Sequence, residues 1–142
     1  MKIKGLDGRE YNWKLTGHTT NEETGRSSYH LRCRRLLKKL FQFDRILEEL
    51  FLPGTDRLRL DFFLPPHRLG VEVHGEQHYK SSVFLHGGEA GFYRALKRDC
   101  NKELWCELNN IRLVVLPHWE DDHEWTARLC GNPSSDETEG TG

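Results

Sequence analysis

No run of about 18 apolar residues occurs in this 142-residue chain, so no membrane-spanning helix and no membrane partner are expected. The opening residues, MKIKGLDGRE, lack the apolar centre of a secretory signal. The four cysteines, Cys33, Cys100, Cys106 and Cys130, contain no C-x2-C zinc-knuckle pair, and without a secretory signal they are expected as reduced thiols. There is no internal repeat, no zinc finger and no dedicated recognition helix. A single, intracellular domain is therefore expected, long enough to bury roughly 70% of its unfolded surface.

A local absence is more telling. Residues 24–43 contain no acid and six bases: Arg26, Arg32, Arg34, Arg35, Lys38 and Lys39. From Trp119 onward there are seven acids and one base, so the 21 bases and 22 acids of the whole leave residues 1–118 with 20 bases and 15 acids. A basic body with an acidic tail fits a polyanion partner, though a solvated helix face has the same composition.

The patterning predicts an N-terminal hairpin over 2–6 and 10–15, turning at Asp7-Gly8, then a loop to about 26. Ser27 or Ser28 caps a helix over 29–41, whose apolar stripe includes Cys33, Leu36, Leu37 and Leu40. Strands are expected at 45–52, 57–64 and 68–75, punctuated by Pro53-Gly54 and Pro65-Pro66 and able to pair as an antiparallel meander. A second, longer helix is expected over 91–108, with Tyr93 or Phe92, Leu96, Cys100, Leu104 and Leu108 as its buried stripe. The apolar run at 111–116 is a fourth core strand, 119–130 a weak helix, and 131–142 a disordered acidic tail. The order helix–three strands–helix–strand implies an α/β (α+β) fold, a mixed sheet flanked by helices.

Ionisable residues interrupt the most strand-like segment, LRLDFFLPPHRLGVEVHGEQHYK. Alternation puts Gly70, Glu72 and His74 on one face of 68–75 and Val71 and Val73 on the other. Pairing across Pro65-Pro66 brings Asp61 near Glu72 or His74. Two converging carboxylates repel unless a cation compensates, and hard oxygen donors with retained waters suit Mg2+ (or Mn2+). His74, with a pKa near working pH, can serve as a base toward water. Taken singly, each of these residues is also an ordinary solvated strand residue. The HGEQH segment does not follow the zinc-protease spacing, because Gly75 stands where the glutamate is needed.

The segments LDFFLP and LGVEVHGEQHY resemble the core of the PD-(D/E)XK nuclease superfamily, over about 27–118. Asp61 matches the family's first acid, Glu72 its second, and His74 the usual lysine. With His74 the chain is similar to the Vsr-like and phage homing endonucleases bearing a Glu-Asp-x-His-Asp signature, and Asp99 matches the final acid. The family's first-helix glutamate has no direct counterpart: His30 holds that position, and Glu48 or Glu49 is the candidate replacement.

The resemblance implies a restriction-endonuclease-like core and a Mg2+-dependent DNA endonuclease, cytoplasmic in a bacterial cell or phage-infected host. Asp61, Glu72 and the Val73 carbonyl are implied as metal ligands, and His74, Asp99 and His78 as further catalytic groups. Glu76, Tyr79 and Lys102 are expected to support the site or touch phosphate; the three-residue spacing also lets Lys102 pair with Asp99. Arg32, Arg35, Lys38, Lys39 and Lys97 are expected to hold the DNA backbone. DNA is the expected partner and a homodimer is open; a non-catalytic nucleic-acid-binding module and an RNase are the alternative functions.

Overall fold

A computed structural model describes residues 1–16, 23, 25–76 and 89–131. A hairpin, β1 (Lys2–Lys4) and β2 (Glu10–Asn12), precedes helix α1 (Ser28–Leu40). Strands β3 (Leu47–Phe51), β4 (Arg59–Leu64) and β5 (Leu69–His74) follow, then helix α2 (Glu89–Leu108), strand β6 (Arg112–Pro117) and helix α3 (Asp122–Leu129). The main sheet has the order β3-β4-β5-β6; the first three strands pair antiparallel and β6 runs parallel to β5. The parallel pair needs a crossover, which contains α2. The expected element order and mixed sheet are present. The acidic tail lies outside the described residues, apart from Gly131.

Local chemistry accounts for the boundaries. The Ser27 hydroxyl accepts the His30 N–H at 3.0 Å, and Lys38 and Lys39 occupy the last turn of α1, where cations suit the helix dipole. Between β4 and β5 the double proline forms a single 3-10 turn, Pro65–His67, rather than a simple hairpin turn. Arg68 then takes a left-handed conformation (φ 45°), and its guanidinium donates to the Asn109 and Asn110 carbonyls just past the end of α2. The α3 start is a capping box: Glu124 N–H donates to Asp121 Oδ1 at 2.8 Å and Asp121 N–H to Glu124 Oε1 at 3.1 Å.

Helices and hairpin divide between the two sheet faces. On one face Cys33, Leu36 and Leu37 of α1 and Trp125 and Leu129 of α3 pack on Phe62, Leu64, Val71 and Leu116. On the other, Ile3 and Trp13 from the hairpin region and Trp105 and Cys106 of α2 pack on Leu47, Leu60 and Phe63. Trp105 donates its indole N–H to the Pro53 carbonyl at 2.9 Å, and Trp13 donates to Phe51 at 3.1 Å, fastening this layer to the end of β3.

One expectation fails here. The buried face of α2 carries Trp105 and Cys106, with Asn109 buried just past its end, while Tyr93, Leu96, Cys100, Leu104 and Leu108 are exposed. Leucines four apart mark a stripe, but the aromatic ring of Trp105 and the Asn109 amide, which bonds the hairpin at Lys4, find more partners inside. The strand pleat also changes face part-way. Leu47 and Leu50 both face the α2 side, as do Leu60 and Phe63, whereas Phe62 faces α1. The switch falls at Glu49, whose φ is 52°, and at Asp61 opposite it, where the β3–β4 ladder skips a pair.

A buried ion cluster joins α1 to β3. Arg34 reaches Glu48 with two N–H groups, at 2.9 and 3.0 Å, and His30 Nε2 lies 2.7 Å from the same carboxylate. Burial works to raise the Glu48 pKa, but these bonds outweigh it and hold the carboxyl below its usual range. Glu48→Leu leaves the Arg34 charge buried and unpaired, with an expected loss of about 3–5 kcal/mol in urea unfolding. Glu48→Leu with Arg34→Met is expected to recover most of it; an equal loss in the double variant would contradict the ion-pair account.

Candidate functional site

The β4–β5 ladder runs through Leu64↔Leu69, Phe63↔Gly70 and Phe62↔Val71, and stops where Asp61 meets Glu72. There the side chains replace the ladder. Asp61 N–H donates to Glu72 Oε2 at 2.8 Å, and Val73 N–H donates to Asp61 Oδ2 at 2.8 Å. Each carboxylate thus binds the opposite strand's backbone, and the two converge. Lys102 enters from α2 and donates to Glu72 Oε1 at 2.6 Å. The spacing also allowed an Asp99 pair; in the structure Lys102 bonds Glu72.

Burial disfavours charge on this pair. Glu72 is 4% exposed. Burial raises its pKa most, the Asp61 charge raises it further, and Lys102 opposes both, leaving it pushed up to about 7. Burial also raises Asp61, against the Val73 N–H and the Lys102 charge. Two thiols flank the pair. Burial and then the Asp61 charge push Cys33 well above its ordinary value; burial and then the Glu72 charge push Cys106 up to about 12. Neither is a thiolate nucleophile near neutral pH.

The remaining candidates are distributed unevenly. His74 follows on β5, half-buried, in register with Pro117, and its carbonyl accepts the His118 N–H at 3.0 Å. Asp99 lies half-buried on α2, one turn before Lys102. Val73 sits beside Leu116 of β6. Glu76 Oε1 accepts the Tyr29 hydroxyl at 3.2 Å. His78 and Tyr79 lie outside the described residues.

Neither first-strand glutamate is open toward the pair: Glu48 is bound by His30 and Arg34, and Glu49 lies 2.7 Å from Arg26 and 3.7 Å from Arg59. Among the described residues no group of three or more His, Cys, Asp or Glu is arranged to hold a metal ion. The donor set of two carboxylates beside a strand backbone still fits a hard divalent ion, which commonly takes one or two carboxylates and completes its shell with water and phosphate.

The bases expected to hold the DNA backbone lie on both sides of the sheet. Arg35 and Lys39 are exposed and line a groove of about 520 Å3 between α1 and α3, with His123 and Thr126. Arg32 is committed to structure there: it lies 3.6 Å over the Trp125 ring and bonds Asp122 at 2.6 Å and the Glu120 carbonyl at 2.7 Å. Lys38 is half-buried, and Lys97 is exposed on α2, across the sheet.

Comparison with known proteins brings out viral relatives. The chain is 35% identical over 69 residues to uncharacterized protein 307L of Invertebrate iridescent virus 6, covering 49% of this chain and 35% of that protein. It is 29% identical over 110 residues to uncharacterized protein 094L of Frog virus 3 (74% and 71% covered) and 33% identical over 101 residues to uncharacterized protein 033L of Invertebrate iridescent virus 3 (68% and 52% covered). The chain therefore spans from about a third to about seven-tenths of the length of these relatives. No family model matches, and no solved structure matches. Among the described residues, no helix is long and apolar enough to cross a membrane.

The raised Glu72 pKa has a signed consequence. The folded chain binds this proton more tightly than the unfolded chain, whose glutamate titrates near 4.5, so the contribution is full below that pH and is lost as pH rises through about 7. In EDTA, urea-unfolding stability is expected to fall from about pH 5 to about pH 7.5, and Glu72→Gln to flatten much of that fall. An unchanged slope in the variant would contradict the assignment.

Proposed function

We propose that this chain is a divalent-metal-dependent DNA endonuclease of PD-(D/E)XK type, with Asp61 and Glu72 as its acidic pair. One observation carries the reading: two carboxylates cross-bonded at the frayed end of antiparallel strands, both buried and raised in pKa, with Lys102 bonded to Glu72 among the described residues. A structural pair needs no such convergence, and an ionised pair in this setting calls for more positive charge.

Asp61 and Glu72, with the Val73 carbonyl beside them, would hold Mg2+ or Mn2+. Such an ion, when bound, polarises a phosphodiester oxygen and makes water a better nucleophile. His74, next on the Glu72 side of β5, takes the proton from the attacking water. Lys102 supplies the charge that the wider family carries on the strand at the His74 position. It steadies Glu72 in its ionised form. The oxygen leaving phosphorus is protonated from solvent. Arg35 and Lys39, exposed on α1, are the best placed of the bases to neutralise backbone phosphates, without reading sequence.

A second reading has its own support. Lys102 already satisfies one Glu72 oxygen, and no third acid stands open among the described residues, as in a non-catalytic nucleic-acid-binding module that keeps the fold.

Nicking of supercoiled plasmid in Mg2+ or Mn2+ separates the two. The nuclease reading expects EDTA-sensitive nicking that falls at least about a hundredfold in Asp61→Asn and in Glu72→Gln, both near-isosteric. Lys102→Met is expected to lower the rate and move the acid limb of its pH profile upward, since Glu72 loses the charge that holds its pKa down. No metal-dependent cleavage of duplex, single-stranded or branched DNA would overturn the reading, and faster cleavage of RNA would reassign the substrate.

A further inference from the structure

The outer face of α2 is a feature the proposed site does not use. Tyr93 is 65% exposed, Leu96 46%, Leu104 55% and Leu108 50%, and Cys100 between them is also exposed. Steps of three and four residues put all five on one stripe, opposite the side from which Trp105, Cys106 and Lys102 face inward. At 1.5 Å per residue the stripe is about 22 Å long.

We propose that this stripe is where two copies of the chain meet, with their α2 helices antiparallel and the two-fold axis near Cys100. Two properties of the helix select a second copy. The stripe reads nearly the same in both directions from its centre: reversal brings Leu96 of one copy level with Leu104 of the other, and Tyr93 close to the level of Leu108. A surface that complements itself in this way suits an isologous contact.

The exposed charge along α2 is also polarised. Arg94, Lys97 and Arg98 lie in its first half, Glu103 and Glu107 in its second. Antiparallel packing sets the basic half of each helix level with the acidic half of the other and opposes the helix dipoles; parallel packing sets like charge level with like. One helix stripe is smaller than the roughly 800 Å2 per partner of a standard interface, so the dimer is a weak one with a micromolar dissociation constant. Lys102 points to the opposite side of α2, so the contact leaves Asp61 and Glu72 uncovered, and the proposal stands whether or not the chain cuts DNA.

Sedimentation velocity across the micromolar range tests it, together with a short bis-maleimide cross-linker on a Cys130→Ser background, where Cys100 is the exposed cysteine among the described residues. Concentration-dependent dimerisation is expected. A cross-linked dimer should form and should disappear in Cys100→Ser. Leu104→Glu is expected to weaken association at least tenfold while circular dichroism keeps the fold. A monomer at every concentration, a dimer indifferent to Leu104→Glu, or cross-linking that persists without Cys100 would overturn the proposal and give the stripe to a different occupant.

Discussion

Where β4 and β5 part, two carboxylates do the work of a backbone ladder. Asp61 holds the Val73 N–H and Glu72 holds the Asp61 N–H, so the two acids extend the join beyond the last ladder pair, Phe62↔Val71. Buried like charges resist that arrangement, and the surroundings answer it in two ways. Proton affinity rises on both acids, and Lys102 is drawn in from the crossover helix. On the proposed reading such a site favours cations, because any positive charge that enters relieves repulsion already present.

The neighbouring irregularities belong to the same place. The pleat changes face at Glu49 and Asp61, next to the point where the ladder ends. Such kinks recur beside functional sites, where they re-aim a side chain. Glu48, one residue earlier, is neutralised by Arg34 and His30, and His30 stacks on Phe62 at 4.6 Å. The acid that the resemblance would put on the first helix is thus replaced by a closed ion cluster. Glu72 is bonded by Lys102 of α2, while Arg34 of α1 is bonded to Glu48.

Much of the fold was legible because its signals are local. Pro53-Gly54, Pro65-Pro66 and Asn109-Asn110 punctuate the chain, and alternation in LGVEVH separates Val71 and Val73 from Glu72. The meeting of Asp61 and Glu72 follows from pairing two strands across a short connection. What stayed hidden depends on tertiary context. Periodicity says that α2 has an apolar stripe, not that Trp105 and Asn109 outbid it for the interior. Spacing offers Lys102 an Asp99 on its own helix and is silent on a Glu72 thirty positions away. Arg32 reads as one base among six until Trp125 and Asp122 claim it. The left-handed Glu49 has no sequence signal at all.

The central claim is that Asp61 and Glu72 form a cation site held partly protonated until it is filled. Calorimetric titration of Mn2+ at neutral pH, repeated in buffers of different ionisation enthalpy, measures occupancy and proton release together. The account predicts one site per chain, release of up to about one proton as the ion displaces it from the pair, and loss of both in Asp61→Asn. Absence of binding at millimolar Mn2+, or equal binding by Asp61→Asn, would contradict it.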